Sequence, residues 1–149
     1  MIFNFTVGFI LPWLTAIILY RKARILIYTV VPFTALLSVL SNQIGMQNDL
    51  WALNPEPTIV LFESLFIDIG YNPIICAWFA YFIYFKQIRR LWVYGGFILL
   101  INGMELLALF TGKVEYSEPW NIYYSFIVYV LCLFITDFYY SKVEELRKA

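Results

Sequence analysis

The sequence predicts an all-α fold: a polytopic membrane helical bundle with five transmembrane helices, the N-terminus outside and the C-terminus cytoplasmic. Three observations predict it. Of 149 residues, 62% are hydrophobic and only 13% are charged, against about 45–50% and about 25% in soluble domains. The apolar residues fall into five runs, each long enough to cross a bilayer. Nine of the ten Lys and Arg side chains fall, three at a time, in the first turn, the third connection and the tail. With five spans those nine share one compartment, which the positive-inside bias makes the cytoplasm; four or six spans would split them.

Composition also excludes. Net charge is zero and the basic residues sit in short clusters, so nucleic acid is not an expected partner. There is no His, and Cys76 and Cys132 lie deep in apolar runs. This removes the usual His/Cys metal sites and a disulfide framework, and leaves both cysteines as small buried hydrophobes. No metal or cofactor is expected. The whole chain reads as one membrane domain in a bacterial cell membrane, with lipid around it and a homo-oligomer or another membrane protein as its expected company.

The first span covers 2–20. It has no charge before its apolar run and the cluster Arg21-Lys-Ala-Arg24 after it, so it reads as a retained span rather than a cleaved signal peptide. It is expected to be lipid-facing and structural. The second span covers 25–46, with a kink expected at Pro32. Its Thr34, Ser38, Ser41, Asn42 and Gly45 share one face. Such a face usually marks helix–helix contact, with a pore- or ligand-lining role as the alternative. Gln47 to Pro57 reads as an interfacial loop anchored by Trp51.

The third span, 58–85, is longer than the roughly 20 residues needed to cross and carries Glu63 and Asp68. Pro73 is expected to kink it, because proline cannot donate to the carbonyl of Ile69 one turn back. Asp68 and Asn72, four residues apart, share a face and flank that carbonyl, whereas Glu63 is turned away from them. The fourth span, 91–110, places Gly95, Asn102, Glu105 and Gly112 on one stripe. Gly95 and Gly96 are expected to admit a neighbouring helix closely. The fifth span, 122–140, has a polar stripe of Asn121, Ser125, Tyr129, Cys132 and Thr136. Trp120 is a second interfacial anchor, and Asp137 is expected to snorkel to the interface. The tail after Tyr140 reads as short and charged.

Depth follows from direction. Asn42, Glu63 and Glu105 share a layer in the outer leaflet, with Asp68 and Asn102 a little deeper. If the second, third and fourth spans are neighbours, then Asn42, Glu63, Asp68, Asn72, Asn102 and Glu105 converge on one polar pocket, the candidate intramembrane polar or ion site. No basic residue lies in that layer. The acids are therefore either protonated or hold a cation or a partner's basic group. Acids that stay protonated serve as interhelical glue.

Two segments carry a resemblance. One is Asp68-Ile-Gly-Tyr-Asn-Pro-Ile-Ile, an acid five residues before a mid-helix proline. The other joins Glu105-Leu-Leu-Ala, Gly112-Lys-Val-Glu-Tyr and Trp120-Asn-Ile-Tyr-Tyr-Ser. Together they resemble an uncharacterised family of small five-helix integral membrane proteins from endospore-forming Gram-positive bacteria. The resemblance covers the second to fifth spans. It implies the architecture and singles out Asp68, Pro73, Glu105, Trp120 and Asn121, but no activity. The chain departs from that pattern at Asn72, where an aromatic residue is more usual.

Three functional classes stand. A non-enzymatic membrane subunit or scaffold, with its acids paired or used as glue, fits the small size and the lack of a soluble domain. A small ion- or proton-coupled transport protein fits a kinked helix with a freed carbonyl beside an acid, although no inverted repeat is visible. An intramembrane lipid or isoprenoid enzyme, similar in general style to some carotenoid cyclases, would use Glu63, Asp68 or Glu105 as proton donor. No catalytic residue is assigned.

Overall fold

The computed structural model describes residues 5–53 and 64–148. Within them the chain is mostly helical, with four helices long and apolar enough to cross a membrane: α1 (Thr6–Gln47), α2 (Ser64–Tyr84), α3 (Arg90–Phe110) and α4 (Ile122–Lys148). Glu63 and the start of the expected third span lie outside the described residues.

The spans expected at 2–20 and 25–46 correspond to a single element, α1, whose helical backbone is interrupted at Ala23 (φ −155°, ψ 57°). Gly8 and Ser38 stand equally far from Ala23 along the chain, yet both meet the same turn of α2, Gly8 against Gly70 and Ser38 on Asp68. The two arms, 6–22 and 24–47, therefore fold back on each other at the basic cluster. Pro32 sits inside the second arm while the backbone around it stays helical; the interruption falls at Ala23 instead.

Proline leaves its mark elsewhere. A five-residue π-turn precedes Pro12 (Thr6–Ile10) and another precedes Pro73 (Ile67–Tyr71). Each proline removes one backbone donor, and a locally widened turn accommodates the loss. The Ile69 carbonyl, expected to lose its donor at Pro73, accepts the Trp13 indole N–H from across the bundle at 3.0 Å. A few residues further on, the Trp78 indole donates to Thr15 Oγ1, also at 3.0 Å. The first arm of α1 thus runs alongside α2 and contributes Ala16 and Leu19 to the core; it is not simply lipid-facing. The two π-turns touch through glycine. A Cβ on Gly70 would collide with the Gly8 carbonyl oxygen and with Phe9 Cα. Close backbone approach through small residues is how helices gain contact where lipid removes the hydrophobic drive.

That approach does not occur where it was expected. A Cβ on Gly95 or Gly96 would meet nothing within 4 Å among the described residues. α3 buries only Val93 and Ile101, while Leu91, Trp92 and Phe110 are largely exposed. α3 packs instead through Val93, Tyr94, Phe97, Ile98 and Ile101, with Tyr94 and Phe97 against Phe79 of α2.

The fold is not wholly helical. Trp51–Leu53 (β1) pairs antiparallel with Val114–Tyr116 (β2), Trp51 opposite Tyr116. Neither three-residue strand is long enough to be read from periodicity. They form because the bundle sets two loops side by side, and their otherwise unpaired backbone groups bond to each other. The tail is also more ordered than expected. α4 continues to Lys148, with Lys142–Glu145, Arg147–Glu144 and Lys148–Glu144 ion pairs at helical spacing.

Candidate functional site

Beneath the two-stranded sheet lies a cavity of about 460 Å³, within the size range of small-molecule sites. Its walls come from the second arm of α1 (Thr34, Ser38, Ser41, Asn42), from α2 (Tyr71, Asn72, Cys76), from α3 (Met104, Glu105) and from α4 (Ser125, Tyr129, Cys132). Both cysteines are free thiols. The small polar face of the second arm therefore has two roles, since the same residues line the cavity and bind α2.

That binding is a knot around Asp68, which is 0% exposed. Its Oδ1 accepts from Ser38 Oγ at 2.5 Å and from Asn42 Nδ2 at 2.6 Å. Asn72 Nδ2 donates to Ser38 Oγ at 2.6 Å. Asp68 and Asn72 share a face because they stand one turn apart, and the π-turn between them keeps that face toward α1. Asp68 Oδ2 and the fully buried Ser64 Oγ have no hydrogen-bond partner among the described residues. The carboxyl sits behind Ser38, Asn42 and Asn72, which form the lining in front of it.

Glu105 is built differently. Its Oε1 accepts the Tyr116 hydroxyl, which contacts Ser125 Oγ at 3.0 Å; that same Oγ accepts the Trp120 indole N–H at 3.0 Å. Tyr129 also stands beside Glu105. Glu105 Oε2 and the Tyr71 hydroxyl are buried without a hydrogen-bond partner among the described residues, and both residues line the cavity. Tyr116 belongs to β2. Burial, and then its bond to Glu105, push its phenol above the usual range.

The six residues expected to converge do so in part. Asn42, Asp68 and Asn72 meet directly, and Glu105 faces the same cavity through other partners. Asn102 does not join them. Its Nδ2 donates to the Ile98 carbonyl of its own helix at 2.9 Å, the local bond open to an amide one turn along. Glu63 lies outside the described residues. A basic side chain does reach this region, contrary to expectation: Lys113, in the turn before β2, is part of the lining. Trp51 and Trp120 pack on each other with ring centroids 4.7 Å apart, and the Trp51 indole covers Gly45 so closely that a Cβ there would collide with it. Both also line the cavity.

Asp137 also departs from expectation. It is buried rather than snorkelling, with Tyr84 donating to Oδ1 at 2.6 Å, Tyr94 donating to Oδ2 at 3.0 Å and Arg90 at 3.5 Å. Two hydroxyls at its depth satisfy it, so reaching for water gains nothing. The tyrosines are what sequence reading missed. Tyr84, Tyr94, Tyr116 and Tyr129 count as apolar in a hydropathy pattern, but each one's hydroxyl meets or stands beside a buried acid.

No family model, curated protein or solved structure matches this chain. The likeness to the endospore-former family rests only on the residues that suggested it.

Proposed function

We propose that the chain is a multi-pass protein of a bacterial cell membrane, crossing it five times with the N-terminus outside and the C-terminus cytoplasmic. The two arms of α1 would serve as the first two spans. The reading is supported by the helical break inside the Arg21–Arg24 cluster and by the Arg90–Asp137 pair, which joins the Lys86–Arg90 turn to the α4 end of the chain. Lys113 sits beside β2, on the opposite side of α3 from that turn. An alkaline phosphatase reporter tests the threading. It should be active when inserted after Gln47 and silent at the C-terminus, and the reverse pattern would overturn it.

Within that membrane protein we assign the cavity to binding a small solute or ion without chemical conversion, in the manner of a small transport or ion-coupled protein. One observation carries this: a cavity of about 460 Å³ is lined by Glu105, whose second carboxylate oxygen is buried and unpartnered. Asp68 Oδ2 is also unpartnered among the described residues, but of the two acids only Glu105 belongs to the cavity lining. A cysteine at position 105, in a background with Cys76 and Cys132 replaced by alanine, should react with a small water-soluble thiol reagent, and a cysteine at position 68 should not. An inert cysteine at 105 would end the binding-site reading.

The subunit or scaffold reading has its own support in Asp68, whose bonds tie α1 to α2 and leave nothing facing the cavity. Under it, a partner copurifies and the cysteine at 105 stays unreactive.

A further inference from the structure

We propose that the cavity takes an organic ammonium ion, a protonated amine carried on an apolar body. This rests on the binding-site reading above and names its ligand class. The argument starts with hydrogen-bond donors. Along the chain Trp120–Ser125–Tyr116–Glu105 the first group can only donate and the last receives the Tyr116 hydroxyl. Such a chain supplies its donors to one carboxyl oxygen only. The other oxygen, Oε2, is buried and has no hydrogen-bond partner among the described residues. The complementary ligand brings N–H donors and positive charge.

The remaining lining fits the same ligand. The Tyr71 hydroxyl is a second buried group without a partner and can accept another N–H. The rings of Trp51, Tyr71, Trp120 and Tyr129 all face the cavity, and aromatic faces attract cations within about 6 Å. Leu37, Ile101, Val128 and Leu133 supply the apolar wall for the body of the molecule. The other nearby acid does not compete, because Asp68 lies behind its own donors and is not part of the lining. Lys113, in the turn beyond the end of α3, is also part of the lining. A carboxylate ligand would face Glu105 directly, so the site selects against it.

The test is isothermal titration of the full chain in nanodiscs of zwitterionic lipid, with empty discs as the blank. The probes are decylamine, decyltrimethylammonium, decanol and decanoate. A hydrogen bond to a charged group is worth about 1.5–3 kcal/mol. Decylamine should therefore bind about tenfold or more tightly than decanol, with decanoate weakest and the trimethylammonium probe in between. Glu105→Gln should erase the advantage of the amine while leaving decanol unchanged. Tyr71→Phe keeps the ring and should reduce the advantage about threefold; it is the second variant should Glu105→Gln fail to fold. If decylamine and decanol bind wild-type protein equally, the ammonium assignment is wrong and the cavity reading survives. If no probe gives saturable binding above the blank, both fall.

Discussion

Asp68 and Glu105 are both intramembrane acids of a chain with few charges, and the structure uses them in opposite ways. Asp68 is sealed. Its bonds come from side chains on α1, its neighbour Asn72 braces the same serine, and the residues that hold it stand between it and the cavity. Glu105 is held by Tyr116 of β2 and has Tyr129 beside it; it belongs to the cavity lining, and its other oxygen is buried without a hydrogen-bond partner among the described residues. An acid with all its partners on packed helices holds those helices together. An acid on the cavity wall, held through a strand residue, is the one we read as the ligand contact. Intramembrane acids are a default sign of function, and here one acid lies off the cavity lining and the other belongs to it.

The largest break in this comparison should come from Asp68→Leu. It strands the Ser38 and Asn42 donors in a dry interface, and two orphaned donors at about 1–3 kcal/mol each predict a loss of about 3–5 kcal/mol in unfolding free energy. Thermal unfolding of the purified protein reads this directly. Asp68→Asn keeps shape and an acceptor and should recover most of the loss; equal damage from both would mean that the charge of Asp68, not its bonding, matters. Next comes Gly70→Ala, which drives a methyl group into the Gly8 backbone just beside the knot. Overpacking of this kind costs about 1–3 kcal/mol, and a variant that melts like wild type would remove the glycine contact from the account.

A smaller effect concerns pH at the sheet. The Tyr116 phenol is raised in the folded protein by burial and by Glu105, while the unfolded phenol titrates near its ordinary value of about 10. The folded state therefore favours the neutral phenol. The stability this contributes is complete below about pH 10 and is lost as pH rises beyond it toward the raised folded value. Strand pairing followed by hydrogen exchange should weaken above that pH in wild type, and Tyr116→Phe should flatten the dependence. The smallest effect on stability is expected from Glu105→Gln. It keeps an acceptor for Tyr116 and should change unfolding by less than about 1 kcal/mol. A cost comparable to that of Asp68→Leu would erase the distinction between the two acids.

Much of this was legible in the sequence. Apolar run lengths outlined the helices, and the absence of an N–H on Pro73 pointed to the free carbonyl of Ile69. Helical spacing set Asp68 and Asn72 on one face. What could not be read falls into two kinds. Long-range choices were hidden: the Trp13 indole that caps Ile69 comes from 56 residues away, and Gly8, Gly45 and Gly70 found close partners while Gly95 and Gly96 did not. Aromatic chemistry was hidden as well. A tyrosine in an apolar run looks like packing, so the hydroxyls on Asp137 and Glu105 left no signal. Asn102 shows the reverse error, a polar residue on the right stripe that satisfies itself on Ile98.

The sheet that pairs Trp51–Leu53 with Val114–Tyr116 has a consequence for biogenesis. Most of the packing joins α1 to α2, so that half can settle as soon as it leaves the ribosome. At that stage the pocket lacks its acid and its roof. Glu105 arrives with α3 and the second strand just behind it, and Ser125 and Tyr129 arrive with α4. The Glu105 corner is therefore completed only after α3 and α4 have been synthesised, and a nascent protein that inserts and packs α1 and α2 correctly would still lack the cavity proposed for binding.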